Sequence, residues 1–209
     1  SDPHAGHAHA ETTATGAPAP PTRDQKLPAG EDAAKTALET SPRHGEMIDL
    51  PVPGDSTKLR TWIVYPERRD RAGVVILIHE IYGLSDWMRA VADQLAREGL
   101  IAVVPDLVSG FGPGWGGTES AVGRDDVVKM VRGLTPAITK ARLDAVHDWA
   151  VALPSANGRA ATLGFCWGGS RSFEYAALRP GLRAAVVYYG TSPDSATVER
   201  VGAPVLAHY

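Results

Sequence analysis

The sequence has little cysteine: Cys166 is the single one among 209 residues. One cysteine cannot close a disulfide within the chain, and it cannot supply the thiolate cluster that a structural zinc site needs. A thiol redox role is also disfavoured, because such sites usually pair the reactive cysteine with a second, resolving one. The role of this cysteine must therefore be inferred from the residues around it.

The sequence also lacks an excess of charge of one sign and any long apolar run. Its formal net charge is −3 at pH 7, so no broad basic surface argues for nucleic acid or an anionic membrane as a partner. No apolar stretch approaches the roughly 18 residues of a membrane-spanning helix. Hydrophobic residues make up 44% of the chain, which is enough for a sizeable core. The composition favours a globular domain, and no motif in it calls for a cofactor or a metal.

Residues 1–45 are poor in large apolar residues and rich in Ala, Pro, Gly, Thr and charge. Such a segment cannot bury enough surface to offset its ordering entropy, so we interpret it as an extended arm or linker that orders only by lying on the domain. His4, His7 and His9 could bind a metal, although a tail with incidental histidines is the simpler interpretation. The chain opens with Ser1 rather than Met, which suggests a processed, exported periplasmic protein; the alternative is a cytoplasmic one.

Residues 46–209 alternate between strand and helix patterns. The run VVILIH, residues 74–79, is continuously apolar and β-branched, as expected of a central strand buried on both faces. Ser85, and Thr135 followed by Pro136, are typical of helix starts. Repeated strand–helix units predict an α/β domain, with a mostly parallel sheet covered by helices on both faces. The first two strands, joined by a short Pro-Gly-Asp connection, are predicted to form an antiparallel hairpin at one edge.

The stretch GFCWGG places Cys166 between a predicted strand, ATLGF, and a predicted helix. Gly164 and Gly168 lie two residues before and two after the cysteine, which is the spacing of a nucleophile elbow with sulfur in place of oxygen. The sharp turn needs small residues there, and it lifts the thiol to a helix N-terminus, where an anion is favoured. The backbone N–H of Trp167 would then face an oxyanion formed on an attacked carbonyl. The alternative is that Cys166 is a small buried apolar residue, as free cysteines often are.

A second motif, HEIYG, follows the predicted central strand. In nucleophile-elbow domains the loop after that strand supplies the other oxyanion donor, here the N–H of Ile81. Glu80 is an acid set between an apolar strand and an apolar turn, a position explained either by surface exposure or by function. His79 lies in the same loop, but elbow domains take their histidine from much later in the chain, so we interpret His79 as structural.

The motifs HEIYG, PDL, GFCWGG, YYG and PVLAHY, in this order over residues 46–209, resemble the dienelactone hydrolase family. The resemblance implies an α/β-hydrolase fold and the opening of enol-lactones or related esters through a Cys-His-Asp triad. It assigns Cys166 as the nucleophile, and Glu80 as a carboxylate that holds the resting thiol neutral and takes its proton when substrate binds. The partner that it implies is a small-molecule ester or lactone.

The sequence departs from this family on the side that holds the substrate. The family's dienelactone enzymes carry an arginine shortly after the PDL segment, whereas residues 106–110 read DLVSG. A neutral ester is therefore as compatible with the sequence as an anionic one. Tyr82 and Trp115 could line a more apolar pocket, although either could equally be a packing residue.

The resemblance places the triad aspartate and histidine after Tyr209, where this sequence ends. His208 lies within the last predicted strand, and Asp194, Asp106 and His147 have weaker claims to a catalytic role. We therefore expect an incomplete α/β-hydrolase domain, truncated at the C-terminus, for which the missing C-terminal segment would be a partner. A cysteine hydrolase acting through an acyl-thioester is the leading interpretation. A non-catalytic small-molecule binding protein of the same fold is the alternative.

Overall fold

The computed structural model describes Asp24 and residues 26–209 of the chain. In this part the strands are β1 (Gly45–Leu50), β2 (Leu59–Val64), β3 (Ala72–Ile78), β4 (Ile101–Pro105), β5 (Ala156–Phe165), β6 (Ala185–Tyr188) and β7 (Val205–His208). They form one seven-stranded sheet in the order β1-β2-β4-β3-β5-β6-β7. The most apolar strand, β3, lies at the centre, where both of its faces are covered.

The sheet is mostly parallel, as predicted. The pairs β3–β4, β3–β5, β5–β6 and β6–β7 are parallel. The predicted hairpin is also present, since β1 and β2 pair in antiparallel fashion at one edge, and β2 joins the parallel strands through an antiparallel pairing with β4. The carboxyl ends of β3, β5 and β6 consequently meet along one rim of the sheet, and the loops that follow them are neighbours.

Helices cover both faces of the sheet. Within the described residues they are α1 (Glu31–Glu39), α2 (Asp86–Arg97), α3 (Arg124–Gly133), α4 (Pro136–Val151), α5 (Trp167–Leu178) and α6 (Ser195–Val198). On one face, Leu143 of α4 and Tyr175 of α5 share a buried cluster with Ile76 of β3. On the other face, Met88 of α2 packs with Leu77, the next residue of the same strand. Because successive strand residues point to opposite faces, one strand holds both helix layers together.

The predicted helix starts are confirmed by their capping hydrogen bonds. The side chain of Ser85 accepts a hydrogen bond from the backbone N–H of Met88 at 3.3 Å, at the start of α2. Thr135 does the same for Ile138 at 3.2 Å, at the start of α4. Each cap satisfies one of the N–H groups that a helix leaves without an internal acceptor. The direction in which both helices leave their loops is thereby fixed.

The amino-terminal arm is helical over part of its length rather than extended throughout. α1 lies on α2, and the fully buried part of the contact consists of small side chains: Ala34 is buried beside Ala29 and Ala90, with Leu38 and Trp87 packed around them. Beyond the helix, Arg43 is bound in a bidentate manner by Asp93 of α2, with nitrogen–oxygen distances of 2.9 and 2.6 Å. Alanines can approach a neighbouring helix closely, so the arm becomes ordered with few large apolar residues.

Two findings concern metal binding and membrane-spanning helices. The histidines His4, His7 and His9 lie outside the described residues. Within the described ones, no group of three or more histidine, cysteine or acidic side chains is arranged to hold a metal ion. None of the helices in that part of the chain combines the length and the apolar character needed to cross a membrane.

Candidate active site

Cys166 occupies the sharp turn between β5 and α5. Its backbone has φ 53° and ψ −118°, a conformation that residues with a Cβ rarely adopt. The flanking glycines are in contact, since a Cβ on Gly164 would lie 2.1 Å from the carbonyl oxygen of Gly168. The glycine spacing therefore corresponds to the backbone geometry of an elbow. The cysteine is only partly buried, which argues against the alternative of a buried apolar residue.

The first turn of α5 packs directly against the end of β3. A Cβ on Gly168 would lie 2.3 Å from the carbonyl oxygen of Ile78 and 2.4 Å from that of His79. The rings of His79 and Trp167 are stacked, with centroids 5.5 Å apart and planes inclined by 18°. The cysteine turn and the loop that follows β3 are thus held side by side.

The two predicted oxyanion donors lie on either side of this contact. Trp167 is the first residue of α5, where backbone N–H groups have no acceptor within the helix. Ile81 follows Glu80 in the loop after β3. Across residues 26–209, neither amide donates a hydrogen bond to a protein acceptor. Both N–H groups therefore remain free to bind an oxygen of a substrate.

His79 is a structural residue in this arrangement. Its ring is fully buried, and its Nε2 accepts a hydrogen bond from the backbone N–H of Leu107 at 3.2 Å. Nδ1 therefore carries the proton and donates to the carbonyl oxygen of Glu80 at 2.7 Å. Burial lowers the pKa of His79, although the nearby carboxylate of Asp106 opposes the shift. A neutral ring with both nitrogens engaged fixes the backbone of Glu80 and is not available as a catalytic base.

Glu80 and the cysteine converge on a third residue, Tyr189. Glu80 is half-buried, and burial raises the pKa of its carboxyl above the ordinary value of 4.5. Tyr189 follows β6 with φ 42°, and the pKa of its phenol is raised by burial first and then by the charges of Glu80 and Cys166. Glu80, Cys166 and Tyr189 thus follow the carboxyl ends of β3, β5 and β6 at one rim of the sheet. They are close enough there for the charges of the first two to raise the pKa of the phenol.

A cavity of about 480 Å³ lies beside Glu80. Its wall combines three charged groups with aromatic, apolar and small polar residues from four segments of the chain. The lining residues are Glu31, Glu80, Tyr82, Ser85, Trp87, Thr118, Ala121, Gly123, Arg124, Val127 and Tyr189. A cavity of this size, beside a carboxyl group with a raised pKa, is suited to a small molecule.

An arginine does reach this cavity, from a position outside the sequence motifs. The segment directly after β4 carries none, but α3 begins with Arg124 at the cavity wall. Its guanidinium lies over the ring of Tyr82, 4.8 Å from the centroid. Tyr82 itself lines the cavity, which is one of the two roles that the sequence left open for it. The sequence left neutral and anionic esters equally open, and Arg124 adds a cation to the cavity wall that the motifs did not indicate.

Asp106, of the PDL motif, holds a residue of the cavity wall in place without lining the cavity itself. It is fully buried and accepts hydrogen bonds from the backbone N–H and the hydroxyl of Thr118, at 2.8 and 2.7 Å. The hydroxyl of Thr118 in turn accepts the N–H of Leu84 at 3.0 Å. A Cβ on Gly117 would lie 2.1 Å from a carboxylate oxygen of Asp106, so the loop closes tightly over it. Asp106 thus positions a cavity-lining residue.

Trp115 lies elsewhere, which corrects the expectation that it shares a pocket with Tyr82. It sits at φ 63° on the Gly-rich loop after β4, and 82% of its surface is exposed. It borders a separate groove with Phe111 and the β1–β2 connection, and it is absent from the wall that contains Glu80. The reason is the course of the loop, which folds back on itself at Gly116 and directs the indole outward.

The other acids and histidines raised by the sequence have contacts away from Cys166. Asp194 caps α6, accepting the N–H of Thr197 at 2.7 Å. His147 lies 2.8 Å from the guanidinium of Arg179, in a cluster of charged residues between α4 and α5. His208 stacks on Tyr188, with ring centroids 4.7 Å apart. None of these positions supports a catalytic role within the described chain.

Two charged cavity residues, Glu31 and Arg124, lie outside the motifs found in the sequence, and Tyr189 stands in the YYG motif without an assigned role. These three residues are far apart in the chain and meet only through the packing of α1, α3 and the end of β6. Arg124 offered one local signal, because it follows Gly123 and precedes Asp125 and Asp126, a pattern of acidic residues typical of a first helical turn.

A mostly parallel sheet with a cysteine elbow after a central strand defines an α/β-hydrolase domain. Residues 59–209 match the sequence model described as the Dienelactone hydrolase family. The chain belongs to the dienelactone hydrolase family.

Named relatives agree with this assignment. The chain is 30% identical over 168 residues to the "Putative carboxymethylenebutenolidase" of Salmonella typhi, covering 78% of this chain and 60% of that protein. It is 33% identical over 123 residues to the "Carboxymethylenebutenolidase" of a Pseudomonas species, covering 58% of this chain and 51% of that one. The solved "Putative Dienelactone Hydrolase" of Klebsiella pneumoniae superposes with a TM-score of 0.66 at 26% identity, covering 79% of this chain and 71% of that one. The chain spans about 60% of the length of the first of these curated relatives.

Proposed function

We propose that the protein is a cysteine hydrolase that opens an ester or lactone through an acyl-thioester. Cys166 supplies the nucleophile, Glu80 accepts its proton, and the backbone N–H groups of Ile81 and Trp167 hold the oxyanion. The observation that carries the proposal is the partly buried thiol at φ 53°, on a turn where two glycines are in contact. Unusual backbone conformations that are enforced by their surroundings are concentrated at active sites.

In the first half-reaction, the thiol of Cys166 transfers its proton to Glu80 while the sulfur forms a bond to the substrate carbonyl carbon. The carbonyl oxygen becomes negatively charged and accepts hydrogen bonds from the two free amides. Collapse of this intermediate breaks the bond between the carbonyl carbon and the alkoxy oxygen, leaving a thioester on Cys166. Because burial raises the pKa of Glu80, its carboxyl retains the proton well enough to return it to the departing oxygen.

In the second half-reaction, water adds to the thioester, and the thiol leaves as the acid product is released. This step needs a base that takes a proton from the water. Among the described residues, Glu80 is the acid–base group that lies at the site. The histidine and aspartate of a triad, which the resemblance places after Tyr209, remain part of this proposal as the more effective base and its orienting partner.

The proposed substrate is a small ester or lactone that fits the cavity beside Glu80. The cavity offers the rings of Tyr82 and Trp87 for apolar contact and the guanidinium of Arg124 for an anionic group. The name carboxymethylenebutenolidase, carried by the relatives, describes action on a lactone with a carboxymethylene substituent. A neutral ester or lactone is compatible with this wall as it stands, whereas a substrate with an acidic group must compete with Glu31 for Arg124.

Replacement of the nucleophile tests the proposal. In the full-length protein, Cys166→Ala should lower kcat/KM for aryl esters and lactones by about 10³-fold or more, because no thioester can form. Cys166→Ser serves as the matched variant, since it keeps the side-chain shape but replaces the thiol by a poorer nucleophile. Thermal unfolding of each variant shows whether the fold is retained. Unchanged turnover by a folded Cys166→Ala variant would contradict the mechanism and favour a binding protein of the same fold.

A second measurement separates an enzyme from a binding protein without relying on turnover. A nucleophile guarded by Glu80 should react with iodoacetamide faster when an uncleavable substrate analogue displaces the carboxylate. Peptide mass spectrometry after brief exposure to an activated ester should locate an acyl group on Cys166. Slow labelling that does not depend on the analogue, together with no acyl adduct, would indicate a thiol without a catalytic role.

A further inference from the structure

The amino-terminal helix α1 forms part of the cavity wall. Glu31, its first residue, lines the cavity together with Glu80 and Arg124. Trp87 connects the helix to the site, because it packs against the α1–α2 contact and also lines the cavity. A segment outside the residues that match the family model thus contributes a charged group to the substrate cavity.

The position of Glu31 is fixed by contacts that do not involve its own side chain. Next to it, Ala34 is fully buried against α2. After the helix, Arg43 and Asp93 form a bidentate ion pair in which the two side chains are only 12% and 15% exposed. With both the helix and the segment after it anchored on α2, the backbone of Glu31 is held at the cavity independently of its ion pair.

The partner of Glu31 is the one arginine that lines the cavity. The carboxylate of Glu31 forms an ion pair with the guanidinium of Arg124, which also lies over the ring of Tyr82. The two charged side chains are 62% and 59% exposed. Exposed ion pairs of this kind are weak and are screened by salt, so another carboxylate could take the place of Glu31.

We propose that Glu31 determines the charge specificity of the substrate cavity by occupying Arg124. A neutral ester leaves the ion pair intact, whereas a substrate carboxylate must either displace Glu31 or enter a cavity in which Arg124 is already paired and Glu80 also lines the wall. The arm therefore selects against anionic substrates, and it does so reversibly. This inference rests on the proposed hydrolase function, because it concerns the substrates of the same cavity.

The test compares two esters that differ by one charge: mono-4-nitrophenyl glutarate, which is anionic, and 4-nitrophenyl pentanoate, which is neutral. Glu31→Gln keeps the shape of the side chain and removes its charge. The ratio of kcat/KM for the anionic ester to that for the neutral one should rise about fivefold, as expected for one exposed ion pair. The gain should appear mainly as a lower KM for the glutarate ester, and it should shrink at high salt.

Matched variants show whether the effect acts through Arg124. Glu39→Gln removes the same charge from the last turn of α1 and should leave the ratio unchanged. In an Arg124→Gln background, Glu31→Gln should produce no further rise, because the guanidinium that it occupies is gone. An unchanged ratio in Glu31→Gln, an equal rise in Glu39→Gln, or a full rise in the Arg124→Gln background would each overturn the proposal.

A binding measurement keeps this inference distinguishable from the hydrolase proposal. If the wild-type protein cleaves neither ester, the proposed function fails, but the cavity can still be tested. Calorimetry on Cys166→Ala should then show that adding Glu31→Gln tightens the binding of monomethyl glutarate about fivefold relative to methyl pentanoate. Equal affinities with and without Glu31→Gln would reject the role of Glu31 whatever the catalytic activity is.

Discussion

Two glycine-rich segments, residues 164–169 and residues 110–117, each place a residue other than glycine in the left-handed region. Cys166 has φ 53° and Trp115 has φ 63°. The two surroundings differ. At the first segment, glycine Cα atoms contact the backbone of β3 and of α5. At the second, Gly114 has open space around it, and the indole of Trp115 projects into solvent.

The difference shows what makes an unusual backbone conformation useful. The loop of residues 110–117 closes on itself, with the N–H groups of Gly110 and Gly112 both donating to the carbonyl oxygen of Gly116, at 2.9 and 3.0 Å. The loop also packs on Asp106 through Gly117 and on Thr57 through Gly110, but the positive φ of Trp115 leaves its indole in solvent. The strain at Cys166 is maintained by contacts with the end of β3, and it leaves the thiol partly exposed at the rim of the sheet. The two turns therefore differ in their packing against the central strands and not in the sign of φ.

We expect the largest effect at Gly168, the glycine of the first segment that packs against the end of β3. Alanine normally stabilises a helix relative to glycine, so local propensity predicts that Gly168→Ala is favourable. The structure predicts the opposite, because the new Cβ would lie 2.3 Å from the carbonyl oxygen of Ile78. We expect a loss of about 3 kcal/mol in the free energy of unfolding, measured by urea denaturation, and loss of ester hydrolysis.

The matched variant lies in the other glycine-rich segment. Gly114→Ala meets no neighbouring atom, and it has only the penalty of a Cβ at φ 63°. We expect a loss of about 1 kcal/mol in the free energy of unfolding, with hydrolysis unchanged. Equal losses in the two variants would mean that backbone conformation, rather than contact with β3, governs both turns.

A smaller loss is expected where the loop of residues 110–117 is attached to the site. Asp106→Ala removes both hydrogen bonds that the carboxylate accepts from Thr118 and leaves a backbone N–H without its acceptor. We expect the free energy of unfolding to fall by about 2 kcal/mol and KM to rise, because Thr118 lines the cavity. Thr118→Val, which keeps the backbone bond and removes the hydroxyl, should cost less. Unchanged stability and KM in Asp106→Ala would show that the loop of residues 110–117 does not support the cavity.

The elements that local patterns specify were those predicted from the sequence. β3 is a continuous apolar run, and the caps at Ser85 and Thr135 are signals between residues three positions apart. Two helices lack such signals. The buried residue of α1 is an alanine, and α3 begins with three charged residues and buries only Val127, Met130 and Val131. Their position depends on surfaces supplied by distant parts of the chain, which a local pattern does not contain.

The same distinction applies to the candidate site. Cys166 and Glu80 stand in short motifs whose spacing is itself a steric requirement, and the structure places both at the rim where β3 and β5 end. Glu31 and Arg124 are brought together by two helices packed over this rim. The sequence does not show which tryptophan is exposed. The course of the backbone leaves the ring of Trp115 in solvent, and it places Trp87 at the cavity wall and Trp167 at the start of α5.

A pH-dependent effect is expected from the carboxyl beside the elbow. Burial raises the folded-state pKa of Glu80 above 4.5, so between pH 4.5 and that pKa the folded chain binds a proton that the unfolded chain has lost. Stability from this group is complete below pH 4.5 and is lost as pH rises through the window. The free energy of unfolding of the wild type minus that of Glu80→Gln should therefore fall with pH.

The contrast to this titration is Asp148, on α4. Burial by itself would raise the pKa of Asp148, but the hydrogen bond from Arg179 holds that pKa below its ordinary value of 3.8. Its contribution is present above pH 3.8 and is lost as pH falls through the folded-state pKa, so the difference curve for Asp148→Asn should rise with pH. Urea unfolding at closely spaced pH values measures both curves. Slopes of the same sign would contradict the burial of Glu80.

The smallest effect is expected at Trp115, and it tests the comparison from the other side. Its indole is 82% exposed and is not part of the cavity wall, so Trp115→Ala should change the free energy of unfolding by no more than about 0.5 kcal/mol. Trp115→Gly also removes the Cβ, so it should raise the free energy of unfolding slightly by relieving the strain of a residue with φ 63°. KM for aryl esters should stay within about twofold in both, whereas Trp87→Ala, which opens the cavity wall, should raise it. A raised KM in Trp115→Ala would show that the exposed loop reaches the substrate, and the left-handed residues of both glycine-rich segments would then belong to one site.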